Sequence, residues 1–325
     1  MTVRLSNTVI DVTIKPERGA DITRMIHKPT CIQVFAESPT GQVTNSRSSW
    51  GDSLINWIDG YPGGWQVLIP NAGAEREWGG ITQGYHGEAS LAAWTVVSQQ
   101  ETFCELETFL LTAPLHLRRA IEIKGPLLTV SDRITNLSPD ETQFRFCHHP
   151  AFGHHFLDEF SYLDISAGLF IADTDDPGTL ASPHSSGKLS NFLPQGPREN
   201  TATLPGPHSA DSLVGALVEL TPDRDGDPTV SATLVSPTKG LSARLSWDAT
   251  VFPYAWVWIE AHAKKTWPWF QRLYAVAIEP ANSLPGEGVS PTGHLRGGHG
   301  ASLAPGATLT TNVSLFLEAH SPDPT

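Results

Sequence analysis

Basic side chains are scarce: 21 Lys and Arg stand against 34 Asp and Glu, a formal net charge of −13. No Lys/Arg-rich run interrupts this balance, which excludes a phosphate-tracking surface and with it nucleic acid as a partner. Cysteine is almost missing. Cys31, Cys104 and Cys147 are odd in number and widely spaced, so neither a disulfide framework nor a Cys-x-x-Cys zinc site is expected, and a reducing compartment fits. No segment approaches the roughly 18 apolar residues of a membrane span, and the opening MTVRLSNTVIDVTIKPERGAD lacks the apolar core of a signal peptide. The expectation is a soluble, cytoplasmic protein with no membrane partner. In that setting the glycosylation triplets at Asn136 and Asn312 carry no weight.

Helical periodicity is also rare, because Gly or Pro breaks most windows in which apolar residues begin to recur at three and four. What is abundant is strand pattern. With 39% apolar and 17% charged residues, the chain can bury a substantial core. From Cys104 to His149 it reads as consecutive β segments, CELETFLL, LHLRRAIEI, LLTVSDRI and TQFRFCHH, parted by turns at Lys124-Gly125-Pro126 and at 136–140. Residues 174–212, crowded with Pro, Gly, Ser and Asp, predict a long surface excursion. Strands then resume with SATLVS and LSARLSW around a Pro237–Gly240 hairpin, followed by AWVWIEA, LYAVAIEP and the closing ATLTTNVSLFLEA. Strand character is the same on both sides of the excursion, so residues 1–325 are expected to form one large all-β domain of sandwich type with few or no long helices.

Three stretches carry candidate chemistry. In TQFRFCHHPAF, period-two alternation puts Phe144, Phe146 and His148 on one face and Arg145, Cys147 and His149 on the other. His148 then joins the core, His149 ends up on the polar face, and Pro150 is expected to end regular pairing. The histidines at 148, 149, 154 and 155 do not make a zinc set, because adjacent strand residues diverge and zinc needs at least three convergent ligands. In LYAVAIEP, an apolar strand runs into Glu279, a carboxylate that must find a partner or face a cleft. Half of the ten tryptophans lie between residues 247 and 269. Tryptophan faces suit the C–H faces of a pyranose, and one or two of these five are expected in a binding site. Lastly, the Gly-rich stretch 63–94 presents an isolated His86-Gly87 step in loop-like surroundings.

Taken together and in order, these pieces resemble the aldose 1-epimerase (galactose mutarotase-like) superfamily. GADITRM at 19–25 resembles the family's opening turn and strand, and Pro70-Asn71 through His86-Gly87-Glu88-Ala89 and Trp94 its proline-to-His-Gly segment. Asn136 and His149-Pro150-Ala151-Phe152 resemble its asparagine turn and His-x-x-Phe strand end, and Glu279-Pro280 its late glutamate. The resemblance spans roughly residues 15 to 315. It implies a β-supersandwich that binds a monosaccharide or sugar derivative on a concave sheet face and interconverts its α and β anomers without a cofactor or metal. Carried over by position, Glu279 is the general base, ionised at neutral pH, and His149 the general acid. By the same carry-over His86 is a partner to the ring oxygen and Arg76 a sugar-binding group; beside it, Asp248 matches no motif but stands where a hydroxyl-binding acid is expected, and Trp258 is the tryptophan face nominated for the sugar. The Pro150-Ala151 step departs from galactose-type members, so a pocket of different shape is implied.

Two other readings stay open. The scaffold could hold a sugar without catalysis, or cleave oligosaccharides with Glu260 as the second acid. Homodimer formation is left open as well. Asp223-x-Asp225-Gly226-Asp227 lacks the distal Glu of a calcium loop and reads as a turn, and GVSPTGHLRGGHG at 288–300 lacks the strand, helix and lysine of a phosphate cradle.

Overall fold

The computed structural model describes residues 2–42, 51–285 and 300–322, so most of the glycine-bearing stretch 288–300 lies outside the described residues. Among them are two large antiparallel sheets, two two-stranded ribbons and one α-helix, Ser53–Ile58. No described helix is long and apolar enough to cross a membrane.

The eleven-stranded sheet runs, in spatial order, Val3–Ser6, Ile10–Lys15, Asp21–His27, Trp65–Leu68, Cys147–Phe152, Tyr274–Ala281, Tyr254–Ala261, Asp211–Leu220, Ala167–Ala172 and Ser186–Gly187, with Ile32–Gln33 attached to Asp21–His27. The second sheet has nine strands, centred on Leu241–Asp248, Thr308–Ala319, Leu127–Asn136 and Leu115–Lys124. Alternation explains why these segments pair as they do. Leu127–Asn136 and Leu115–Lys124 bury every second residue, and Ile121, Leu128, Val130 and Ile134 meet Val67, Val276 and Ile278 of the larger sheet in one core.

The expected turns are in place. Gly125-Pro126 closes a two-residue hairpin with Lys124 opposite Leu127, and 237–240 closes another with Ser236 opposite Leu241. The 174–212 excursion is largely irregular but contributes the short strands Ser186–Gly187 and Thr201–Thr203. Asp223 and Asp227 belong to a turn, where Asp223 accepts from Ser231 and Arg244.

The expected single strand over TQFRFCHH is two, Thr142–Phe144 in a ribbon with Ala301–Leu303 and Cys147–Phe152 in the eleven-stranded sheet, with 145–146 in neither, but the alternation of faces survives. Phe144, Phe146 and His148 join the inter-sheet core, while Cys147 and His149 face the other side of the sheet. Pro150 does not end the strand, which continues to Phe152 with Pro150 opposite Trp65. It is tolerated because pairing toward Tyr274–Ala281 registers at Cys147, Ala151 and Phe152 and skips 148–150, where a missing N–H costs nothing. His148 accepts from the Trp65 indole N–H at 3.1 Å, and its Nε2 lies 3.3 Å from Asp132. Asp132 in turn holds Arg119 through two hydrogen bonds of 2.8 and 2.9 Å. Arg119 and Asp132 belong to the nine-stranded sheet and His148 to the eleven-stranded one, so a buried polar chain ties the layers together.

Candidate active site

Neighbouring strands far apart in sequence build the site. Cys147–Phe152 lies beside Tyr274–Ala281, with Cys147 opposite Ala281. On the face away from the core this brings His149 Nε2 to 3.4 Å from Glu279 Oε1, and Cys147 Sγ to 3.5 Å from Glu279 Oε2. Both members of the pair are buried, yet both line an open cavity of about 380 Å³, a size that suits a small ligand.

Aromatic rings enclose the pair. Around the His149 ring stand Trp258 at 5.5 Å, His86 at 5.8 Å, Trp57 at 5.9 Å and Tyr61 at 6.1 Å between centroids. Trp57 comes from the helix Ser53–Ile58, whose N-cap Asp52 accepts from Ile55 N–H. Trp267 and Trp269 enter on a loop that Glu260 anchors by accepting from the Lys264 backbone N–H at 3.0 Å. Four of the five clustered tryptophans, Trp256, Trp258, Trp267 and Trp269, therefore line the cavity, where one or two were expected, and only Trp247 fills the core. They gather because two of them alternate on one strand face and the other two flank Pro268 in a tethered loop.

His86 is held by backbone strain. Its φ is +58° and that of Gly87 is +74°, and a Cβ on Gly87 would sit 2.5 Å from Ile69 O and 2.6 Å from Asn71 O. The fixed turn lets His86 Nδ1 accept from the Gly73 N–H at 3.0 Å. A neutral His86 then carries its proton on Nε2, as a donor on the cavity wall. Burial, and the His149 ring beside it, push the imidazole well down, which keeps it in that neutral form.

The charge states expected from sequence are revised. Burial pushes the Glu279 carboxyl up from 4.5 to about 8, with the Cys147 thiol opposing, and pushes the His149 imidazole down from 6.5 to about 4. At neutral pH a protonated Glu279 thus stands against a neutral His149. Their 3.4 Å contact is not an ion pair, because neither group is solvated well enough to carry charge there.

Two other expected positions are not at the cavity. Asp248 ends a strand of the nine-stranded sheet and accepts from Thr250 N–H at 2.8 Å within a turn. Arg76 is buried in the ribbon Arg76–Trp78, where it donates to Gln83 Oε1 at 3.0 Å and Pro70 O at 3.2 Å and lies over Trp78. Trp57, Tyr85, Cys147 and the acidic group Asp173, Asp175 and Asp176 are site residues that sequence reasoning passed over. Among the described residues no group of three or more His, Cys, Asp or Glu side chains is placed to hold a metal ion.

Solved structures share this architecture. A galactose mutarotase related enzyme from Lactobacillus acidophilus is 17% identical with a TM-score of 0.69, covering 100% of both chains. A galactose mutarotase-like protein from Lactobacillus casei is 18% identical with a TM-score of 0.67, covering 98% of this chain and 100% of that one. An aldose epimerase homologue from C. elegans is 12% identical with a TM-score of 0.62, covering 99% of each chain. The chain thus has the galactose mutarotase-like fold. None of the curated proteins matches it significantly. The model of a domain of unknown function, DUF4432, matches residues 1–317, nearly the whole length, and the chain belongs to that family.

Proposed function

We propose that this protein interconverts the anomers of a reducing sugar by opening and reclosing its hemiacetal. The observation that carries this reading is the 3.4 Å contact of His149 with Glu279 inside an aromatic cavity. Ring opening takes a proton from the anomeric hydroxyl and gives one to the ring oxygen, and closure reverses both transfers. One acid and one base are therefore enough, and together they must hold a single proton. The pair does so across the neutral range, since only one of its two groups is protonated between about pH 4 and pH 8.

The resemblance assigns Glu279 as the base and His149 as the acid. Burial keeps the proton on Glu279, so that assignment requires it to cross to His149 over their contact as the sugar enters and supplies polar groups to a carboxylate. His86 Nε2–H serves as a fixed donor toward the ring oxygen. The tryptophans take the apolar C–H faces of the ring.

Positioned acid or base groups are worth on the order of 10²–10⁴ each in rate. Glu279→Gln and His149→Asn are accordingly expected to slow anomer exchange by at least about 10²-fold, read by exchange NMR on a sugar the wild type accepts, with the far-UV spectrum unchanged. Exchange at the wild-type rate in both variants would overturn the proposal. Sugar binding with no exchange in the wild type would mark a carbohydrate-binding protein instead.

A further inference from the structure

The far side of the cavity from the Glu279–His149 pair is acidic. Asp173, Asp175 and Asp176 line it, and among the described residues its one Lys or Arg is Lys264, whose Nζ is taken by Asp176 at 3.0 Å. Asp173 differs from its neighbours in being 8% exposed. Its Oδ1 accepts the N–H groups of Asp175 at 2.8 Å and Asp176 at 2.9 Å, which fixes the side chain in a turn. Oδ2 meets no protein donor among the described residues, although the side chain is more than nine-tenths buried and faces the cavity. An acceptor that opens on the cavity without a protein donor is left to a ligand or to water.

The sheet places this acceptor at a useful distance. Asp173 N–H bonds Val214 O, Val214 pairs with Trp258, and Trp258 pairs with Ala277 on the Glu279 strand. Three strand spacings amount to roughly 14 Å between backbones, and both carboxylates point into the space between. A ring held at its anomeric carbon by Glu279 and His149 turns its remote substituents toward Asp173.

We propose that Asp173 binds donor groups on the part of the sugar remote from the reacting carbon, so that the substrate carries hydroxyl or ammonium groups there and no phosphate, sulfonate or carboxylate. Hydroxyl and ammonium groups donate to Oδ2, whereas an anion meets three carboxyl side chains and a single lysine whose Nζ Asp176 already holds. This rests on the mutarotase reading for the orientation of the ring.

The test measures affinity by titration and anomer exchange by NMR for D-galactose, D-glucose, D-glucosamine and D-glucose 6-phosphate, in the wild type and in Asp173→Asn. Asn retains Oδ1 for the turn, and a melting curve checks that the variant folds. The wild type is expected to bind at least one of the three non-anionic sugars tenfold or more tighter than the 6-phosphate, and Asp173→Asn to weaken that sugar tenfold or more while narrowing the gap to the phosphate. Binding of the 6-phosphate as tight as that of the others, or an unchanged affinity in Asp173→Asn, overturns the inference even if exchange is catalysed. If Asp173→Asn does not fold, the wild-type preference decides alone. The expected order of binding without any exchange overturns the mutarotase reading and leaves Asp173 as the selector. Failure to bind any of the four sugars overturns both.

Discussion

Ionising Glu279 puts a negative charge among tryptophan rings and a thiol, and the consequence is a stability that depends on pH. Its folded pKa is raised from 4.5 to about 8, so its contribution is complete below pH 4.5 and is lost as pH rises through 8. His149 runs the other way. Its folded pKa is lowered from 6.5 to about 4, so its contribution is complete above pH 6.5 and is lost as pH falls through 4. Asp21, raised to about 7 by burial, adds to the alkaline loss up to that pH. Glu279→Gln removes one titration and leaves the others, so the variant's stability relative to wild type is expected to rise from pH 6.5 to pH 8, by up to about 1.4 kcal/mol per pH unit. Urea denaturation across that range reads the difference, and a flat difference would mean that Glu279 is already ionised at pH 6.5. The sequence made Glu279 conspicuous, as a carboxylate ending an apolar strand, but not its protonation. Protonation is set by burial, which depends on segments distant in sequence closing around the carboxyl.

Single turns aim the functional groups, and the His86-Gly87 step shows how little tolerance they have. Gly87 combines a positive φ with two carbonyl oxygens where a Cβ would go, whereas Gly125, at φ +55°, has nothing within 4 Å. Gly125→Ala therefore meets only the backbone penalty of the left-handed region, about 1 kcal/mol. Gly87→Ala meets that penalty and a clash with fixed backbone, and is expected to cost more and to displace His86 from the Gly73 N–H. Thermal denaturation of the two variants compares the costs, and anomer exchange should fall in Gly87→Ala alone. Equal loss of stability in both would show that the loop yields. The step was visible in the sequence as a histidine before a glycine in a polar loop. The helix beside it was not: six residues are too few to display a 3.6-residue period, so Trp57, which it delivers to the site, gave no signal.

Across the whole molecule, legibility divides along a physical line. Alternation is local, so the strands from Phe103 to Phe152 and from Thr229 to Ala281 could be read directly, and so could the opposite orientations of His148 and His149. Sheet order is not local. Nothing near Asp173 announces that the strand it follows lies three places from that of Glu279, and nothing near Asp248 that its strand belongs to the other sheet, so the first drew no attention and the second lies away from the cavity. Arg76 lies away from the cavity for a related reason, since the direction of a side chain in a short ribbon depends on which acceptors the fold brings to it. The long-range tie that the sequence hides most completely is the chain from Trp65 through His148 and Asp132 to Arg119, which crosses between the layers in a predominantly apolar core. Arg119 beside it holds the Asp132 carboxyl well below the usual range against the opposing effect of burial, so the aspartate is ionised at neutral pH. Removing one partner leaves a buried guanidinium unpaired. Asp132→Ala is accordingly expected to destabilise the protein by about 3–5 kcal/mol, while the double variant Arg119→Met with Asp132→Leu, which removes both charges, should cost far less. Denaturant titration of the two variants decides the matter. If the double variant is as damaged as the single one, the bridge holds the sheets in register by its geometry, and not merely by keeping its own charges paired.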